Sequence, residues 1–371
     1  MSYPTMKFLN NLWVAGLFCM FLSCDSQDDN LAAEEALALP SFKGLSFAEE
    51  GLLEYTYTTG NEEASFRNLT QVENYPTQFE FVHHQRGVFG LYRGQNVWMR
   101  DVMNSTTEQF LDYTSPGNSE RREGVVNDDL HIALLYRRQD ALDQLQLRIV
   151  NAQNNVQKNV NFGMVSGFTY SYLYENTVII TLENEFDNST SLFVIDVESG
   201  VVRSELTFFN TRTTGLAFGN NNNFYFFDGQ GKYHHYDLAS LNLIETVTTD
   251  FAVQSGSVYE VYDGMLIGNF FYLQPSFFNK GPLLVDLTTQ TSVQVDIGAA
   301  LTNFLGTREN GERIANSDFV YDRDSETWLA NYSISFSTGQ GEAYGVVQIN
   351  ALGEIVNSIS TAFPITRVVV D

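Results

Sequence analysis

The chain has 371 residues, with 20 lysines and arginines against 45 aspartates and glutamates, a formal net charge of −25 at pH 7. So acidic a surface repels nucleic acid and anionic lipid and excludes both as partners of the folded body. A length of this order, with 43% hydrophobic residues, is ample for a core that needs no cross-links.

The first element is an apolar run from Leu12 to Leu22 that follows one cation, Lys7, and closes on Leu22-Ser23-Cys24, with the acidic stretch Asp25-Ser26-Gln27-Asp28-Asp29 directly behind it. A helix needs roughly 20 apolar residues to span a bilayer, so this run reads as a cleaved export signal, with an uncleaved anchor as the alternative. It resembles the signal peptides of bacterial lipoproteins, in which cleavage falls before a cysteine that carries diacylglycerol. Small Ser23 before Cys24 fits that pattern, bulky Phe18 before Cys19 does not, and Met6 is an alternative start. The resemblance implies a signal peptide over 1–23, lipidation (palmitate and diacylglycerol) at Cys24, and a place in the cell envelope at the outer membrane. Acidic residues behind the cysteine resemble a surface-export signal in some lineages, and Asp25 resembles an inner-membrane retention signal in others. Cys19 would leave with the leader, so no disulfide is available. Leu31 to Leu39 is the one helix-forming stretch, ended by Pro40, and 24–40 reads as a lipidated tether.

Beyond residue 40 the helical period disappears. Short runs of Val, Ile, Phe, Tyr and Thr alternate with Gly, Asn and Asp clusters, which predicts an all-β domain over 41–371. The runs recur as an apolar strand closed by Asp or Asn, a turn, and a second strand. Instances close at Asp101, Asn151, Asp196, Asp237, Asp286 and Asn350. A repeat of about 45 residues with four strands is the signature of a β-propeller blade. Quartets are predicted at 77–113, 123–161, 165–208, 214–247, 257–296 and 316–360. Three strands in 41–70 and one in Ile365 to Val370 make a seventh blade, closed by pairing the two ends of the chain. Six blades with a decorating strand, or a β-sandwich, are the alternatives. The stretch Leu192-Phe193-Val194-Ile195-Asp196-Val197-Glu198-Ser199-Gly200-Val201-Val202 resembles blades of the quinoprotein-like and WD40-like propellers. The resemblance implies shape and leaves activity open.

No local catalytic or metal motif is present: neither a Gly-x-Ser-x-Gly elbow, nor a phosphate loop, nor a zinc spacing occurs. Neighbouring residues on a strand face opposite ways, so His83 with His84, or His234 with His235, cannot easily share an ion. Asp322-Arg323-Asp324-Ser325-Glu326 places carboxylates at alternate positions, a spacing that can hold calcium or simply make a solvated turn. No other cofactor is expected. Acids such as Asp128, Asp129, Glu183 and Glu185 cannot be singled out as a glycosidase pair among so many. Arginines crowd into 86–148, where salt bridges within blades to Asp101, Asp128, Asp129 and Asp140 compete with ligand binding. Arg93 and Arg138 are predicted at turns after second strands, where a guanidinium can fork a carboxylate, and Arg137 beside Arg138 is a further ligand-binding candidate. Tyr272, Phe277 and Phe278, around Gln274-Pro275, offer an apolar contact patch. The resulting expectation is a non-catalytic binding or scaffold propeller for an envelope protein or extracellular ligand. The rival is a polysaccharide hydrolase or lyase with groups converging on the central channel.

Overall fold

The computed structural model describes residues 37–370, apart from 86, 95, 112–119, 129, 139–143, 152, 155, 166, 175, 185–187, 210–212, 220–221, 229, 250–256, 263–264, 270–282, 307–312, 316–317 and 336–342. Cys24 and the expected signal peptide over 1–23 lie outside the described residues. The compact unit that runs from Ala38 to Asp371 is a seven-bladed β-propeller of four-stranded antiparallel blades.

Blade 1 is built from Phe42–Ala48, Gly51–Tyr57 and Ser65–Asn68, with the C-terminal strand Arg367–Val369 on its inner edge. Blade 2 holds Phe81–Gln85, Val88–Arg93, Asn96–Asp101 and Thr106–Leu111. Glu120–Asn127, His131–Arg138, Gln144–Asn151 and Gln157–Met164 form blade 3, and Gly167–Tyr174, Thr177–Asn184, Ser189–Asp196 and Val202–Phe209 form blade 4. Blade 5 comprises Thr213–Gly219, Asn223–Asp228, Lys232–Asp237 and Leu243–Thr248. Blade 6 comprises Ser257–Tyr262, Met265–Asn269, Leu283–Asp286 and Ser292–Gln294. In blade 7 the inner strand is split into Arg313–Ala315 and Phe319–Asp322. Both pieces pair with Thr327–Ser335, beyond which lie Ala343–Ile349 and Ile355–Thr361.

Middle strands are apolar without alternation because each blade is covered on both faces. Val178, Ile179 and Ile180 are all fully buried. Val178 and Ile180 pack with Leu135, Leu147 and Ile149 of blade 3, while Ile179 packs with Leu216, Phe224 and Phe226 of blade 5. A run of this kind would be half wet in an isolated sheet.

The ring closes through the register Lys43↔Val369, Gly44↔Val368 and Leu45↔Arg367, which pairs the two ends of the propeller and removes a free inner edge. One irregularity stands elsewhere. The inner strands of blades 5 and 6 hydrogen-bond in parallel from Gly215↔Ser257 to Gly219↔Val261, fusing two blades into an eight-stranded sheet.

Two helices correct the expectation that helix is confined to Leu31 to Leu39. Helix α1, Leu69–Glu73, starts where the Asn68 side chain accepts the Gln71 N–H. Helix α2, Ile297–Leu305, starts where Asp296 accepts the Ala299 N–H. Both are short connectors held by their N-caps and too brief to show a period. Within the stretch expected to be helical, residues 31–36 lie outside the described residues and 37–39 are not helical. Leu39 is buried against Phe42, Tyr55 and Val368, so the end of the expected tether belongs to the propeller core.

Four strands per blade return the chain to the rim from which it started, so the ends of the molecule are defined by topology. Turns between first and second strands, and between third and fourth, all lie on one rim. None of them spans more than 58–64. The longer connections, 69–80, 112–119, 249–256, 270–282 and 295–312, all join strand ends on the opposite rim. These are called below the short-turn rim and the long-loop rim.

Candidate functional site

The hairpins of the short-turn rim share one chemistry, which is why the sequence repeats. In blades 2 to 7 the third strand closes on Asp or Asn, whose side chain accepts N–H groups from the turn behind it. Asp196 Oδ1 accepts the Ser199 N–H at 2.7 Å, Asp237 Oδ1 accepts that of Ser240 at 2.7 Å, and Asn350 Oδ1 accepts that of Glu354 at 2.9 Å. The hydroxyls of Ser199, Ser240 and Thr289, and then the backbone N–H groups of these residues, hold the carboxyls of Asp196, Asp237 and Asp286 below the usual carboxylate range, because a carboxylate that receives O–H and N–H donors favours its charged form. Gly200, Leu241, Gln290 and Gly353 supply the positive φ these turns require.

Of the carboxylates between Asp322 and Glu326, that of Asp322 is employed in the same way. This segment is the hairpin after the split inner strand of blade 7. Asp322, itself buried, accepts the N–H of Ser325 at 3.1 Å and also its hydroxyl. Among the described residues no group of three or more His, Cys, Asp or Glu side chains is arranged to hold a metal ion.

The sequence-selected arginines divide into two kinds. Arg93 ends the second strand of blade 2 on the long-loop rim and is exposed. Arg137 and Arg138 end the second strand of blade 3 on that same rim and are half-buried. Arg137 is held inward, with Nη1 donating to the Val165 carbonyl at 3.0 Å and Nε 3.5 Å from Glu123. Tyr272, Phe277 and Phe278 lie outside the described residues, in the connection between Met265–Asn269 and Leu283–Asp286.

Other arginines of the 86–148 cluster are structural, with partners different from those expected. Arg100 is fully buried and forks the Glu54 carboxylate of the neighbouring blade, with Nε and Nη2 each at 2.7 Å. Its Nη1 reaches Thr107 at 2.9 Å and Glu73 of α1 at 3.3 Å. The expected bridges to Asp101 and other acids of the same blade are thus replaced here by a clamp between blades 1 and 2. Arg148 lies over the Tyr136 ring, 4.6 Å from its centroid, with Glu120 at 3.5 Å.

A second charged cluster lines the inner strands at the ring closure, and no local motif announced it. Asp318, nearly buried at the break in the blade 7 inner strand, accepts the backbone N–H of Val368 at 2.7 Å and sits 3.7 Å from Arg367. Burial pushes its carboxyl up to about 6 although Arg367 opposes the shift. Asn331 reinforces the joint: its Oδ1 accepts the Asp318 N–H at 2.9 Å, and its amide donates to the Ile365 carbonyl. On the far side, in blade 2, burial lowers His83 to about 4 and His84 to about 3, the latter also through Arg367. His84 stacks on Phe89 and accepts the Gly87 N–H through Nε2 at 3.1 Å, which fits its neutral form. The other pair is likewise split between faces: His235 stacks on Tyr225, and His234 meets Asp228 at 3.3 Å.

No family model matches this chain, and no curated protein matches it. Among solved structures it is similar to a chain of the mitotic checkpoint complex, at 10% identity over 78% of this chain and 79% of that one, with a TM-score of 0.43. It is also similar to BamB from Moraxella catarrhalis, at 11% identity over 77% of this chain and 89% of that one, with a TM-score of 0.40.

Proposed function

We propose that this protein is a lipid-anchored propeller of the bacterial cell envelope, held through Cys24 at the outer membrane, that binds an envelope protein or an extracellular ligand without catalysing a reaction. The observation that carries the reading is the asymmetry of the two rims. One is built from tight, side-chain-closed hairpins, while the other carries the long connections together with Arg93, Arg138 and the segment that contains Tyr272, Phe277 and Phe278. Long loops presented by a rigid frame are where recognition is usually placed. The buried Arg100–Glu54 pair and the Asp318–Arg367 pair join blade to blade, and this favours a frame over a reaction centre.

The test is isolation of the tagged, full-length protein from gently solubilised membranes, comparing the native chain with Arg93→Glu and with Arg93→Glu combined with Arg138→Glu. The reading expects a stoichiometric companion that is lost stepwise across the two variants while the melting temperature holds. A companion retained in full by both variants, or a turnover of envelope polysaccharide by the purified chain, contradicts it.

A further inference from the structure

Among the described residues, exposed aliphatic side chains recur on the short-turn rim, while Val72 and Met164 are exposed on the long-loop rim. Val156, Val201, Leu243, Ile244, Val293 and Leu352 stand at the hairpins between third and fourth strands of five successive blades, and so all belong to the short-turn rim. Leu352 is 83% exposed, Val201 57% and Leu243 53%. Single exposed aliphatics are ordinary, but at least one at the same hairpin of blade after blade makes a recurring apolar feature of this rim, as interaction surfaces do.

The chain enters the propeller on that same rim. The Thr59 hydroxyl donates to the Leu39 carbonyl at 3.1 Å, and the Ser41 hydroxyl accepts the Thr59 N–H at 2.9 Å. This pins residues 39–41 to the blade 1 hairpin at 58–64, just before the strand Phe42–Ala48 begins. An extended chain reaches about 3.3–3.6 Å per residue, so the stretch from Cys24 to Leu39 keeps this rim within roughly 50 Å of any lipid on Cys24.

We propose that the short-turn rim is the face the protein lays on a phospholipid surface, with its aliphatic hairpin tips in the headgroup region and the long-loop rim turned away. This rests on the anchor reading above for the attachment, and on the structure for the face. The chemistry of the rim narrows the lipid. Asp196, Asp237 and Asp286 sit beside the aliphatic tips as charged carboxylates, so the surface is zwitterionic; an anionic one is repelled. Shallow insertion of apolar side chains strengthens an anchor that a single acyl chain leaves weak.

The experiment uses Ala351→Cys on the short-turn rim and Glu49→Cys on the long-loop rim, each labelled with an environment-sensitive fluorophore. Cys24 is blocked by its lipid, which leaves one reactive thiol. The mature lipidated chain is reconstituted into phosphatidylcholine vesicles carrying a nitroxide at the headgroup. Quenching several-fold greater at position 351 than at 49 is expected; equal quenching, or the reverse order, overturns the proposal. A second arm holds the Cys24→Ser chain to nickel-chelating vesicles by an N-terminal histidine tag, so the face is read whether or not the natural chain is lipidated. The mass of the Cys24 peptide reports on the anchor separately. In that arm Leu243→Ser, Ile244→Ser and Leu352→Ser together reduce association measured with the tag cleaved about tenfold, and phosphatidylglycerol in the vesicles weakens it. No change in the triple variant, or tighter binding to phosphatidylglycerol, overturns the proposal.

Discussion

Asp318 and Val368, fifty positions apart in the chain, meet at the ring closure, where the carboxylate accepts the backbone N–H at 2.7 Å. The closing strand Arg367–Val369 is only three residues long, and its inner edge has no further strand to pair with. Asp318 supplies an acceptor to this edge, and the Asn331 amide supplies a donor to the Ile365 carbonyl. A buried N–H left without an acceptor costs about 1–3 kcal/mol. Asp318→Ala is therefore expected to lower stability by that amount in urea unfolding. Asp318→Asn, whose amide oxygen can still accept the N–H, is expected to lose less.

The same cluster sets a pH response. Asp318, raised to about 6 from 3.8, binds its proton more tightly when folded, so its contribution is complete below pH 3.8 and is lost as pH rises through about 6. His83 and His84, lowered to about 4 and about 3 from 6.5, work the other way: theirs is complete above pH 6.5 and is lost as pH falls toward those values. Two groups oppose one, so stability is expected to fall between pH 6.5 and 4. Asp318→Asn removes the opposing contribution and steepens that fall, and His84→Phe makes it shallower, as read from urea midpoints at pH 7, 5 and 4.

Arg100 and Glu54 are both buried, so removal of one strands the charge of the other. Arg100→Met is expected to cost about 3–5 kcal/mol. Combining it with Glu54→Leu should recover a large part, because a buried ion pair replaced by apolar side chains is often neutral. A double-mutant cycle in urea checks both.

The hairpin at Asp322 is tested by Asp322→Ala, which removes the acceptor for Ser325 and is expected to cost roughly 1 kcal/mol. Exposed Asp324 takes no part in these bonds, and Asp324→Ala is expected to leave the melting temperature unchanged in calcium-free buffer.

The blades were legible because their signals are local. Asp237 closes its own turn through Ser240, three residues on, and Val178-Ile179-Ile180 announces burial on both faces without reference to any partner. The seventh blade followed from strand arithmetic, three strands after residue 40 and one at the end. What could not be read depends on distant neighbours. Arg100 is matched to Glu54, forty-six positions away, and nothing near either residue distinguishes them from surface charges. The parallel pairing of Gly215 to Gly219 with the inner strand of blade 6, and the break at Asp318 that places its carboxylate against Val368, arise only when the ring is assembled. Helix α2 escaped notice because nine residues capped by Asp296 resemble any apolar run.

The central claim is that recognition belongs to the long-loop rim. Its most direct measurement places a photo-crosslinking amino acid at Arg93, and separately at Ser240 on the short-turn rim, in the full-length protein in living cells. A single protein or glycan adduct of defined mass at position 93, absent at 240, is the result expected. Adducts to the same molecule at 240 and none at 93 would contradict it.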